Sequence, residues 1–213
     1  MWKTLELSTC LTLDSGVSLL ALAREPAPDK PQLCDREHAV FGDLAQYPLR
    51  VSEWLAGRAA AKGLLERAFG LAPSVTEVLP RESGAPEVYV RGTLEPAVFL
   101  NITHTRLYAV AAAARIPVGV DVCDDVDGPR LERIAQRVFS EGEAEECAAH
   151  ATRQNQAAVW ALKEAVLKLR IGGVFDPGAR SVRVLQLDPP RVANEGVHVA
   201  LLRLAEGMCA VAT

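Results

Sequence analysis

The chain has no excess of basic charge: 23 Lys and Arg against 27 Asp and Glu leave a formal net charge of −4 over 213 residues. Nothing in that balance argues for nucleic acid or an anionic membrane surface, so any anionic ligand must be held by a local basic cluster. It has no C-x-x-C pair. The five cysteines, Cys10, Cys34, Cys123, Cys147 and Cys209, are odd in number and scattered, which argues against a disulfide framework or a zinc site and fits a reducing cytoplasm. No apolar run reaches bilayer-spanning length, and the start Met1-Trp2-Lys3-Thr4-Leu5-Glu6 lacks the apolar core of a signal peptide. Low-complexity segments are absent, and no convincing sequence repeat is visible. The expectation is a soluble cytoplasmic protein with neither a nucleic-acid nor a membrane partner. What is present is ordinary globular material, 49% hydrophobic and 23% charged, ample for one large domain or two lobes of about 100 residues.

Strands are expected over the weakly alternating 2–7, the short apolar run 17–22, the segments 74–79, 87–91, 97–103, 107–114 and 117–122, and the alternating 180–187, 196–203 and 207–212. Pro26, Pro28 and Pro31 mark a loop over Glu25–Gln32. A helix is predicted from Ser52, as N-cap, to Phe69, with Gly70 as the stop. Gly128-Pro129 opens another through about Phe139, and Ser140 to Glu143 has capping-box spacing for a short one. The longest later helix contains Trp160 to Lys168 and ends before Gly172-Gly173, with Leu162, Ala165, Val166 and Leu169 on its apolar face. The predicted fold class is α/β (α+β): two similar lobes, 1–115 and 116–213, each a mostly antiparallel sheet packed with helices.

Three stretches carry residues suited to chemistry. Asn101-Ile102-Thr103-His104-Thr105 puts a His between two hydroxyls at a strand end, a set that can grip phosphate. In Val118-Gly119-Val120-Asp121-Val122-Cys123 the valines alternate with Asp121, whose carboxylate is a plausible hard-metal ligand. Glu164 and Lys168 lie one helical turn apart, with Trp160 a turn before them. Taken singly, each has an ordinary reading: an incidental surface His, a turn or capping Asp, and a solvated ion pair.

Taken in order, the hydroxyl–His loop, the Gly-x-Asp strand and the Trp-x-x-Lys-Glu-Ala-x-x-Lys helix resemble the 4′-phosphopantetheinyl transferases, in their larger monomeric type associated with surfactin synthetase. Arg50 to Ala60 (R-V-S-E-W-L-A-G-R-A-A) resembles that family's N-terminal helix, and Arg137-Val138-Phe139-Ser140 with Glu143 resembles its F-(S/T)-x-x-E stretch. The likeness covers roughly residues 50 to 170. It implies a pseudo-dimer of similar lobes. The implied reaction is Mg²⁺-dependent transfer of 4′-phosphopantetheine from coenzyme A to a serine of an acyl or peptidyl carrier protein, releasing adenosine 3′,5′-bisphosphate. By resemblance, Asp121 and Glu164 are the Mg²⁺ ligands, Glu164 also a candidate base, directly or through a metal-bound water, and Lys168 a catalytic phosphate contact. Thr103 and His104 contact phosphate with Lys163 in support, and Arg50 and Arg58 are candidates for the 3′-phosphate.

Two positions depart from the family pattern. Its second carboxylate, in G-x-D-x-E, falls on Cys123, and a thiol is a poor Mg²⁺ ligand. Asp124 points the other way on a strand, whereas Asp125 has the right parity but lies about 13 Å along an extended chain. A water at the vacant position is the simplest replacement, since Mg²⁺ commonly keeps several. The second departure is Ser83-Gly84-Ala85-Pro86, where the family often has Gly-Lys-Pro. The alternative that Cys123 motivates is a degenerate member that binds coenzyme A or a carrier protein without efficient transfer. A third reading is a structural α/β protein with no nucleotide site.

Overall fold

The computed structural model describes residues 2–127, 130, 131, 133, 139, 143, 153–171 and 181–213. Most of the helices expected from Gly128 and from Ser140, and the stop at Gly172-Gly173, lie outside the described residues. Contacts divide the chain into two compact units, Glu6–Val118 and Gly119–Thr213 with Met1–Leu5. The expected division after residue 115 placed the N-terminus with the first lobe. Instead, strand β1 (Lys3–Thr4) pairs in parallel with β12 (Val199–Leu204), and Leu5 N donates to Arg203 O at 2.9 Å. A ladder of backbone hydrogen bonds outweighs proximity along the chain.

The unit Glu6–Val118 begins with β2 (Cys10–Thr12) and β3 (Ser18–Ala23). Helices α1 (Asp35–Leu44) and α2 (Pro48–Phe69) follow. Next come β4 (Thr76–Pro80), β5 (Pro86–Val90), β6 (Thr93–Leu94), β7 (Phe99–His104) and β8 (Tyr108–Ala114). The antiparallel sheet β2-β3-β8-β7 carries α2 on one face, and β4-β5-β6 forms a smaller sheet. Ala109, Ala111 and Ala113 of β8 meet Ala56, Ala60 and Leu64 of α2 in the core. Such small side chains let helix and sheet approach closely.

Helix α2 starts four residues before the expected Ser52. Pro48 occupies the first turn, where its fixed φ and missing N–H cost nothing. Its stop is as expected: Gly70 caps the end at φ 69°, a left-handed conformation that glycine adopts without strain. Helix α1 was not anticipated, because its N-cap is Cys34 rather than a Ser, Thr, Asp or Asn. Glu37 completes the cap by accepting from Cys34 N at 3.0 Å.

The unit Gly119–Thr213 begins with β9 (Gly119–Asp124), followed by a 3₁₀ turn at Asp125–Asp127 and helix α3 (Arg153–Ile171). It continues with β10 (Val184–Leu187), β11 (Pro190–Val192), β12 and β13 (Gly207–Ala212). The sheet order is β1-β12-β13-β9, with β10-β11 as a separate hairpin, and α3 packs on β9 and β13.

The two units repeat one topology. In each, the first long strand (β3 or β9) pairs with the last (β8 or β13), which pairs with the one before it (β7 or β12). In each, the long helix follows that first strand and packs against it. A buried ion pair recurs at the same place. Glu37 pairs with Lys62 of α2 at 2.6 Å and accepts from Val78 N of β4. Glu143 pairs with Lys163 of α3 at 2.7 Å and accepts from Val184 N of β10. The Glu lies 41 residues before its strand partner in both units. This repeat is one of architecture and of two polar pins, which is why no sequence repeat is visible.

Candidate functional site

In the unit Gly119–Thr213 the site is built where β9 crosses α3. A Cβ on Gly119 would stand 2.0 Å from Ala165 O, so the strand lies directly on the helix. Strand alternation then turns Asp121 and Cys123, with Gly119, toward α3. Asp121 is 6% exposed, and its Oδ1 accepts from Lys168 Nζ at 2.7 Å. The same ammonium donates to Val120 O at 3.2 Å. Glu164, one turn before Lys168, is 8% exposed. Burial, and then the neighbouring Asp121 charge, push its carboxyl up to about 7, with Lys168 opposing. Two buried carboxylates are thus held near one another, with the Lys168 ammonium paired to Asp121.

Such a site fits a hard divalent cation. Its donors are carboxylate oxygens, and their mutual repulsion is what a cation would relieve. Among the described residues no group of three His, Cys, Asp or Glu side chains could hold a metal. Two carboxylates suffice for Mg²⁺ when phosphate and water complete its shell. Cys123 is not a third ligand: it lies in the apolar core with Leu162 and Val166, and burial and then the Asp121 charge push its thiol up. Nor does Asp125 stand in. The strand ends at Asp124, so parity no longer applies, and Asp125 accepts from Arg203 at 3.0 and 2.6 Å.

Lys163, expected to support phosphate binding, is corrected by its burial. It has no exposed surface, and its ammonium lies on Glu143 and donates to Val182 O. It is a structural pin, as Lys62 is in the other unit. Lys62 donates to Gln32 O at 2.5 Å and Pro73 O at 3.2 Å besides pairing with Glu37.

In the unit Glu6–Val118 a cleft of ≈ 680 Å³ brings together Arg50, Arg58 and His104. Helix α2 supplies Arg50, Glu53, Trp54, Gly57 and Arg58, β7 supplies Ile102 and His104, the β4–β5 turn supplies Gly84, and β5 supplies Pro86. The guanidinium of Arg58 stacks 4.6 Å from the Trp54 ring centroid. It is 7% exposed, its Nε has no hydrogen-bond partner, and burial lowers its pKa to about 10. A buried cation with an unsatisfied N–H is suited to an anion. Arg50 is exposed above Tyr47 at 5.9 Å. His104 Nε2 lies 3.3 Å from Glu53 Oε2. Thr103 is 5% exposed on the opposite face of β7, outside this cleft.

The repeat also places the acidic site's counterpart. The strand registers align Leu20 with Asp121, and Lys62 and Lys163 align Gly63 with Glu164 and Arg67 with Lys168. Leu20, Gly63 and Arg67 line a second cleft, of ≈ 560 Å³, without either carboxylate. The chemistry of the acidic pair is confined to one unit.

The sequence pattern that defines the 4′-phosphopantetheinyl transferase superfamily matches residues 117–203. The 4′-phosphopantetheinyl transferase AcpT of Salmonella typhimurium is 33% identical over 161 residues, 68% of this chain and 77% of that protein. The chain belongs to the 4′-phosphopantetheinyl transferase superfamily. The holo-[acyl-carrier-protein] synthase of Geobacillus kaustophilus is 41% identical over 85 residues, which are 37% of this chain and 64% of that relative. The match therefore spans a little under two thirds of the Geobacillus synthase. A solved holo-(acyl-carrier-protein) synthase of Bacillus anthracis, in complex with CoA (3′,5′-ADP), aligns at 23% identity with a TM-score of 0.37, covering 46% of this chain and 92% of that one.

The phosphopantetheinyl transferase pattern, 117–203, holds Asp121, Glu164 and Lys168 and excludes the cleft of the first unit. Glu53, Trp54 and Gly84 of that cleft were given no role from sequence. A signal was present for two of them: Arg50, Glu53, Trp54, Gly57 and Arg58 recur at i, i+3, i+4, i+7 and i+8, one face of a helix. Nothing local marked which face would be open.

Proposed function

We propose that this superfamily member transfers the 4′-phosphopantetheine group of coenzyme A to a serine of an acyl or peptidyl carrier protein, with Mg²⁺ as its metal. The observation that carries the reading is the Asp121–Glu164 pair, two buried carboxylates kept together beside Lys168. They are the residues that would hold Mg²⁺, which when bound supplies neutralising charge to the pyrophosphate oxygens.

In the reaction the serine Oγ forms a bond to the β-phosphorus while the bond from that phosphorus to the bridging oxygen breaks, releasing adenosine 3′,5′-bisphosphate. The serine proton must go to a base, and Glu164 is the carboxylate placed to accept it, at Oε or through a water. Lys168 adds positive charge where negative charge accumulates on the phosphoryl oxygens. Arg58 and Arg50 hold the 3′-phosphate, and His104 a diphosphate oxygen. Ala85 contributes no cation at the β4–β5 turn, so Arg50 and Arg58 carry the positive charge of the cleft. We place the reaction in the cytoplasm with the protein as a monomer. Its free Cys10, Cys34, Cys123 and Cys209 suit a reducing compartment.

The test is incubation of the purified protein with coenzyme A, Mg²⁺ and a panel of apo-carrier proteins, read by mass spectrometry. The expected result is a gain of one phosphopantetheine on at least one carrier. No gain on any carrier, with a known transferase active in parallel, sinks the reading. One observation favours the alternative of a binder without efficient transfer: the second family carboxylate is replaced by the core thiol of Cys123. Calorimetry separates the two, because the alternative requires coenzyme A binding without turnover and activity on Cys123→Glu.

A further inference from the structure

Glu53 lines the cleft that holds Arg50, Arg58 and His104. A carboxylate there would repel an anionic ligand, so its presence calls for a role other than ligand contact. Its two oxygens face different partners: Oε2 lies 3.3 Å from His104 Nε2, and Oε1 lies 3.7 Å from Arg24 Nη1. Arg24, which follows β3, is firmly held. Its backbone N donates to Leu107 O at 2.9 Å, its Nη1 donates to Thr105 O, and its Nη2 donates to Ser52 Oγ at 3.4 Å. One guanidinium therefore fastens the residue before Glu53 on α2 and the residue after His104 on β7.

We propose that Glu53 is a positioning residue for His104: braced by Arg24, it fixes the imidazole through Nε2 and keeps the ring in its charged form. A phosphate entering the cleft then meets a cation already formed and already oriented. The role in catalysis rests on the reading that this cleft takes coenzyme A. Arg50 and Arg58 of α2 oppose protonation, whereas Val40 and Leu44 of α1, Gly84 of the β4–β5 turn, Pro86 of β5, and Ala109 opposite on β8 are neutral. Glu53 is the carboxylate that this arrangement sets against the imidazole.

The decisive measurement is an NMR titration of the histidine side chains in the whole protein without coenzyme A, with His104→Gln identifying the resonance. Glu53→Gln, nearly isosteric, is expected to lower the His104 pKa by about one unit, as loss of a carboxylate within hydrogen-bonding reach does. Glu53→Asp should fall between. An unchanged His104 pKa in Glu53→Gln overturns the proposal. In transfer assays Glu53→Gln should raise KM for coenzyme A several-fold near neutral pH with kcat little altered. That difference should shrink as pH falls and His104 becomes charged unaided. A loss confined to kcat, or a KM difference that persists at low pH, also overturns it. If the wild-type protein transfers nothing, the transferase reading fails, while the titration still decides whether Glu53 governs His104.

Discussion

Gly119 and Ala165 touch backbone to backbone: a Cβ on the glycine would lie 2.0 Å from the Ala165 carbonyl oxygen and 2.7 Å from Leu169 N. That contact sets how close Asp121, two residues on, comes to Lys168 and Glu164. Gly119→Ala must push β9 off α3. Its expected cost in stability is about 1–3 kcal/mol, the usual range for overpacking. Transfer activity should fall far more than stability, because the carboxylates separate. Urea unfolding and a transfer assay on the same protein check both halves.

Glu164 gives the metal-free protein a pH-dependent stability. Its folded pKa of about 7 lies above the ordinary 4.5, so the folded state binds the proton more tightly. Stability is greatest while both states are protonated, declines as pH rises from about 4.5, and levels off above about 7. The full decline amounts to roughly 3 kcal/mol. Glu164→Gln removes the titrating group, so it should stabilise the protein near pH 8 by about that amount and change little near pH 4.5. Denaturation in EDTA at both pH values measures this. The same substitution should abolish transfer.

Arg58 is the cleft's buried, unsatisfied cation. Arg58→Met keeps its bulk beside Trp54 and removes the charge. If Arg58 holds the 3′-phosphate, coenzyme A should bind about 10- to 100-fold more weakly, as loss of a charge-assisted hydrogen bond worth about 1.5–3 kcal/mol requires. Dephospho-coenzyme A, which lacks that phosphate, should bind the variant and the wild type alike. Isothermal calorimetry with both nucleotides is the measurement.

Lys163 and Lys62 should behave as a structural pair. Lys163→Met leaves the Glu143 carboxylate buried without its cation, and Lys62→Met does the same to Glu37. Each should cost about 3–5 kcal/mol of stability, more than the ion pair itself is worth. Adding Glu143→Gln to Lys163→Met should recover part of the loss. Chemical denaturation of the four proteins tests this. An unchanged KM for coenzyme A in folded Lys163→Met would set Lys163 apart from Lys168.

Local pattern determined much of this molecule. Short apolar runs, some of them alternating, marked β3, β5, β7, β8, β12 and β13 within a few residues, and Gly70 marked the end of α2. Spacing within single elements put Glu164 and Lys168 one turn apart and set Asp121 against its neighbouring valines. These are properties of a strand or a helix alone, and a few consecutive residues express them. Only the tertiary structure decided what each side chain faces. Asp125 meets Arg203 across 78 residues, and Val184 meets Glu143 across 41. The parallel pairing of β1 with β12 moved the N-terminus to the second unit, and burial made Lys163 a pin and Cys123 a core residue. Glu53 of α2 found His104 at the end of β7. Such contacts join residues far apart in the chain. Their free energy depends on burial and on which charges are brought together, quantities absent from any short window of sequence.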